Sequence, residues 1–170
     1  MFEDLISQAY ILATLDKRKP KQANLRRAIS SAYYAVFHLL IDEACCIQIG
    51  TQHNQSAYRQ TLGRAFSHSV MKHACTSFGG GTLKNAVTKG LPVGFTIPRV
   101  IQVLAATFAE LQEKRHLADY DLTERFSRFD VLCLIGQVQR HVANFTNLPA
   151  SDEKRFFLSC LWAWKELANR

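Results

Sequence analysis

An apolar residue returns at every third or fourth position along almost the whole of this 170-residue chain, and that period commits it to helices. Residues Phe2 to about Asp16 carry Phe2, Leu5, Ile6, Ala9, Leu12 and Ala13. A polar loop, KRKPKQ, follows, with Pro20 placed to stop the first helix. A second helix is expected from about Asn24 to Ile47, with Leu25, Ala28, Ile29, Ala32, Ala35, Val36, Leu39 and Leu40 as its stripe. The small pairs Ala28/Ala32 and Ser31/Ala35 let a neighbouring backbone approach closely. A third helix is expected from about Ser56 to Cys75. Tyr58, Leu62, Ala65, Phe66, Ser69, Val70 and His73 fall on one side of it. Thr76 to Gly94 reads as a long Gly-rich loop with one short turn.

Thr96 is placed to cap a fourth helix, with Pro98 in its first turn and Ile97, Ile101, Leu104, Phe108 and Leu111 as its stripe. After a break near Asp119 to Thr123, a fifth helix starts around Ser127. Ser127 and Asp130 form a capping pair there. Its stripe is Val131, Leu134, Ile135, Val138, Val142 and Phe145. Pro149 and Ser151 introduce a short sixth helix with Phe156, Phe157, Leu161, Trp164 and Leu167. No strand, internal repeat or domain boundary is evident. The expected fold is all-α, an up-down bundle of four to five core helices plus a short C-terminal helix. It forms a single domain over 1–170, with a core of about 1–145 and a last helix of about 151–168.

Gly and Pro together are 12 of 170 residues and apolar residues 48%, which excludes disordered and collagen-like classes. The apolar run from Ile29 to Ile41 carries Ser30, Ser31, Tyr33, Tyr34 and His38, and reads as too short and too polar for a bilayer span. The acidic N-terminus does not resemble an export signal. Five cysteines without a C-x-x-C argue against a disulfide framework or zinc ribbon. The expectation is therefore a cytoplasmic protein with reduced thiols, no metal, no cofactor and no membrane partner.

The net charge of +7 is unevenly spread. Ala44 to Ala109 holds Arg59, Arg64, Lys72, Lys84, Lys89 and Arg99 with no Asp or Glu. Such a field attracts phosphate backbones or acidic surfaces. The run Gly79-Gly80-Gly81-Thr82 lacks the phosphate-loop pattern. Two constellations could carry chemistry. Arg115 stands where the fourth helix's stripe calls for Leu, one turn before Asp119. It is either a helix-end partner of Asp119 or a guanidinium poised to hold a phosphate. Arg64 and His68 lie four apart, on a shared face opposite the apolar stripe. There they are either a solvated pair or a proton-moving group beside a charge-stabilising one. His73 reads as a core histidine.

The string Asn24-Leu25-Arg26-Arg27-Ala28-Ile29-Ser30-Ser31-Ala32-Tyr33-Tyr34-Ala35-Val36-Phe37-His38 resembles the signature helix of the HEPN family, the higher eukaryote and prokaryote nucleotide-binding domains. Arg115-His116-Leu117-Ala118-Asp119-Tyr120 is similar to the family's prokaryotic R-x-x-x-D-Y form. The resemblance covers about Met1 to Phe145. It implies a four- or five-helix bundle that is commonly a homodimer. Members act in defence, toxin–antitoxin and RNA-processing systems, and a nucleotidyltransferase-like protein would be the cognate partner in a toxin–antitoxin pair. Catalytic members are metal-independent endoribonucleases with an R-x(4–6)-H motif contributed by both protomers. Here His116 adjoins Arg115, Tyr120 takes the place of the histidine, and Arg64 to His68 is one residue short. A free tyrosine, with a pKa of about 10, is a poor base.

The first expectation is thus an RNA- or nucleotide-binding protein, with Arg26, Arg27, Arg59, Arg64, Lys72, Lys84 and Lys89 as contacts. An endoribonuclease using Arg115, Asp119 and Tyr120, with Arg64 and His68 as alternative site groups, is the second. The third is a non-catalytic helical module whose basic belt docks an acidic protein.

Overall fold

The computed structural model describes residues 1–169 as a packed all-α bundle. Among them there are eight helices and no strand: α1 (Phe2–Thr14), α2 (Gln22–Ile49), α3 (Ser56–Gly63), α4 (His68–Gly79), α5 (Asn85–Thr88), α6 (Arg99–Tyr120), α7 (Arg128–Thr146) and α8 (Asp152–Ala168). A single 3₁₀ turn, His53–Gln55, precedes α3.

The central element is α2, which packs against α1, α3, α6, α7 and α8. Its stripe from Leu25 to Leu40 is buried as expected, and Tyr33 and Phe37 join it. By length and composition α2 could cross a membrane, which corrects the reading of that segment as too short and too polar. Its apolar side chains are instead sealed by the surrounding helices, the ordinary reason for a hydrophobic central helix.

The expected third helix is two helices. Gly63 ends α3, and Ser67 starts α4 by accepting a hydrogen bond at Oγ from the Val70 amide, 3.3 Å away. Phe66, inside the break, is buried and keeps the apolar rhythm unbroken in sequence. Angles drawn on one wheel across this break do not transfer. Tyr58 and His73, both expected in the core, are exposed, and α4 buries Met71, Ala74, Cys75 and Phe78 instead. Because α4 runs on to Gly79, the Gly-rich loop is shorter than expected. A β-carbon at Gly79 would stand 2.7 Å from the Ala106 amide nitrogen, so glycine is what lets α4 close on α6.

Thr96 does not cap α6. Pro98 takes that position, with Arg99 as the first helical residue. The caps at Ser127 and Ser151 form as expected. The last helix has its expected bounds, with α8 spanning 17 residues. Its Phe157, Leu158, Cys160 and Leu161 lie in the same continuous core as α2 and α4.

Lys154 fastens α8 to the rest. It is 4% exposed, and its Nζ donates to the carbonyls of Phe145 (3.2 Å) and Leu148 (3.1 Å) and meets Glu43 Oε2 at 2.9 Å. One ammonium thereby closes the end of α7 and ties it to α2. Lys154→Ala strands two carbonyls and a half-buried carboxylate. We expect it to cost about 2–3 kcal/mol and to lower the melting temperature by about 5–10 °C, as calorimetry would read.

Candidate anion-binding site at the α2–α4–α6 junction

The stripe of α6 runs Ile101, Leu104, Phe108, Leu111, all fully buried, and continues onto Arg115. The charge at that core position is accommodated in two ways. The guanidinium carbon lies 5.6 Å from the ring centre of Tyr33 and 5.5 Å from that of Tyr34, so aromatic faces replace part of its hydration. Its Nε donates to Asp119 Oδ2 at 2.8 Å, one helical turn on. Ser30 Oγ on α2 donates to the other carboxylate oxygen, Oδ1, at 2.7 Å, which fixes Asp119 against rotation. Among the described residues, Nη1 and Nη2 of Arg115 make no hydrogen bond. Of the two readings of Arg115 from sequence, the helix-end pairing with Asp119 is present. The Arg115 fork retains four N–H donors.

His68 is the first residue of α4 and joins this cluster. Its ring stacks on Phe37 at 4.2 Å, and Nδ1 lies 2.5 Å from Tyr33 Oη. This corrects the placement of His68 on an outward face shared with Arg64. The helix break separates the two: Arg64 is the exposed residue closing α3, without a partner among the described residues. Burial lowers the His68 pKa below its ordinary value of 6.5, and the charges of Arg115 and His38 push the same way. Burial also pushes the Tyr33 phenol well above its usual range, so it stays a neutral O–H.

The sequence reading passed over Tyr34 and His38 as site groups. The Tyr34 ring is the hub: Arg115 sits over it, His38 stacks parallel to it at 6.2 Å, and His68 meets it edge-on at 6.2 Å. His38 is likewise held neutral, chiefly by burial. Spacing of i, i+4 on α2 brings Ser30, Tyr34 and His38 to one side. They line an open groove of about 560 Å³ against α1, together with Gln8, Arg27 and Ser31.

Tyr120 is exposed and lies beside the His116 ring, 5.0 Å away, in a second groove with Arg26, Arg27 and Asp119. Arg27 lines both grooves.

The expected basic contacts divide into two sets. Arg26 is committed internally, with its guanidinium donating to the carbonyls of Leu117 and Ala118 at the end of α6 and of Asp121 and Glu124 in the loop that follows. Arg59 clamps the turn after α2 through Gly50 O (2.8 Å) and Gln52 O (3.0 Å), and Lys72 is ion-paired with Glu113. Arg27, Arg64, Lys84 and Lys89 face solvent with no side-chain partner among the described residues. No three His, Cys, Asp or Glu side chains converge as metal ligands among the described residues.

The neutral histidines give the fold an acid limit. Below pH 6.5 the unfolded chain takes up protons that folded His38 and His68 refuse, so stability falls as pH drops from 6.5 toward their depressed values. We expect the melting temperature to decline over that interval, and less steeply in a His68→Gln variant.

Comparison with protein-family models, with curated proteins and with solved structures finds no match to this chain.

Proposed function

We propose that this is a HEPN-like RNA- or nucleotide-binding protein of a prokaryotic defence or toxin–antitoxin system. In this reading it acts in the cytoplasm as a twofold homodimer, with a nucleotidyltransferase-like protein as its cognate partner. The observation that carries the reading is the half-used fork of Arg115: Nε is anchored by Asp119, Nη1 and Nη2 make no hydrogen bond among the described residues, and the Tyr34 ring beneath the guanidinium lines the groove that also carries Arg27. A phosphate accepts from a guanidinium in this geometry, and an aromatic beside it supports a base or ribose. The acid-free stretch from Ala44 to Ala109 supplies long-range attraction.

A test is the salt dependence of binding to a labelled single-stranded RNA. Arg27→Ala should leave the melting temperature unchanged and reduce the logarithmic salt slope by about 0.7. An unchanged slope would remove Arg27 from the interface. Light scattering at micromolar concentration tests the dimer, and a monomeric mass would count against it.

A second reading, a metal-independent endoribonuclease, is favoured by the two neutral imidazoles flanking Tyr34 beside Arg115. One imidazole would take the proton of a ribose 2′-hydroxyl as its oxygen attacks phosphorus. The departing 5′-oxygen would take its proton from solvent, both imidazoles being held neutral, and Arg115 would balance the charge on the phosphoryl oxygens. The products are a 2′,3′-cyclic phosphate and a 5′-hydroxyl. Incubating end-labelled RNA with and without EDTA decides it. Cleavage indifferent to EDTA and lost in His38→Ala and His68→Ala supports catalysis; RNA bound but intact limits the protein to binding.

A further inference from the structure

The end of the bundle where α1 gives way to α2 carries three apolar side chains that no packing accounts for. Leu15 is 59% exposed, Leu122 82% and Phe129 74%. Hydrogen bonds hold their segments together. The Asp16 carbonyl, next to Leu15, accepts from Arg128, next to Phe129. The Asp121 carbonyl, next to Leu122, accepts from Arg26 at 2.8 Å, and Gln22 binds both the amide (3.0 Å) and the carbonyl (2.9 Å) of Phe126. The loops before α2 and α7 are thus one fixed platform at the start of α2.

The charges on this platform are sorted. Lys17, Arg18, Lys19 and Arg125 are exposed and in no ion pair among the described residues. The carboxylates are engaged locally: Asp16 accepts from the Lys21 amide and the Asn24 side chain, Asp121 from Thr123, and the exposed Asp130 from Ser127; among the described residues Glu124 has no such bond. Free cations therefore share the two loops with apolar residues carried on turns and on the first turn of a helix.

We propose that this platform docks on an anionic lipid surface, with Leu15, Leu122 and Phe129 entering the interface and Lys17, Arg18, Lys19 and Arg125 meeting the headgroups. The charge pattern selects the occupant. Free cations need an anionic partner, and protruding leucines contribute nothing to a phosphate backbone but gain free energy in acyl chains. Surface docking is distinct from spanning, and it departs from the expectation of no membrane partner. It does not rest on RNA binding.

Cosedimentation of the full chain with sucrose-loaded vesicles tests it. Binding is expected to vesicles of phosphatidylcholine containing one third phosphatidylglycerol, and not to phosphatidylcholine alone. Replacing Lys17, Arg18 and Lys19 by Gln should weaken binding about fivefold per cation. Leu122→Ser with Phe129→Ser should abolish it without changing charge or melting temperature. Failure to bind the anionic vesicles overturns the proposal. So does full binding by the Leu122→Ser/Phe129→Ser variant, which would leave a nonspecific attraction of cations. If that variant instead loses RNA binding, or turns a dimer into a monomer, the platform belongs to RNA or to a second copy, and the proposal fails.

Discussion

Arg115→Ala is expected to abolish measurable binding of single-stranded RNA while costing about 1–2 kcal/mol in stability. The stability cost is small because Arg115 and Asp119 are each about one-fifth exposed, at 20% and 23%. Water can therefore rehydrate the carboxylate, and Ser30 still donates to it. The functional cost is large because no other guanidinium or ammonium is seated over the Tyr33 and Tyr34 rings among the described residues. Arg115→Lys sharpens the comparison. Lysine keeps the charge but cannot bond Asp119 and a phosphate through one planar fork, so binding should fall at least about tenfold with the fold intact. Melting temperature and anisotropy on both variants separate the outcomes. A large fall in melting temperature with normal RNA binding would reduce Arg115 to a structural ion pair.

Arg26→Ala should show the reverse: a large loss of stability, about 3 kcal/mol, from a residue the sequence marks as an RNA contact. Its Nη1 donates to Ala118 O at 2.7 Å and its Nη2 to Asp121 O at 2.8 Å and Glu124 O at 2.7 Å, with a longer contact to Leu117 O at 3.4 Å. In the last turn of α6 this one side chain from α2 satisfies the Ala118 carbonyl and shares that of Leu117 with the Asp121 amide, and beyond the helix it takes the carbonyls of Asp121 and Glu124. Removing it frees the segment that carries Asp119 and Tyr120. Arg26→Lys retains one donor group and should recover less than half of the loss. Denaturant unfolding reads both values. A change under about 0.5 kcal/mol, the ordinary range for surface substitutions, would contradict this role.

The two variants also show where the sequence is legible. Arg115 and Asp119 are four apart on one helix, so their ion pair and the interrupted stripe can be read directly from residue order. The existence of α1, α2, α6 and α7 follows from periodicity in the same way, and the start of α7 from the cap at Ser127, whereas the start of α6 at Arg99 does not. What brings His68, Tyr33 and Tyr34 around Arg115 is packing between three helices, and no local pattern encodes it. The break between α3 and α4 hid His68 further, because Phe66 preserves the apolar rhythm across a chain reversal of phase. Only the pairing of Gly63 with a capping Ser67 signals it. The internal bonding of Arg26 escapes the sequence for a related reason. It shares its dipeptide with Arg27, yet one helical step of about 100° turns Arg26 into the α6 terminus and leaves Arg27 on the groove.

Titration of a labelled single-stranded RNA with the wild-type protein, followed by anisotropy from about 50 mM to 200 mM salt, tests the central claim most directly. Binding that saturates at low salt and weakens linearly on a logarithmic scale, with a slope lowered by Arg27→Ala and with binding lost in Arg115→Ala, is the expected result. Absence of binding at about 50 mM salt, where phosphate contacts are strongest, would contradict it and transfer the basic stretch to an acidic protein partner.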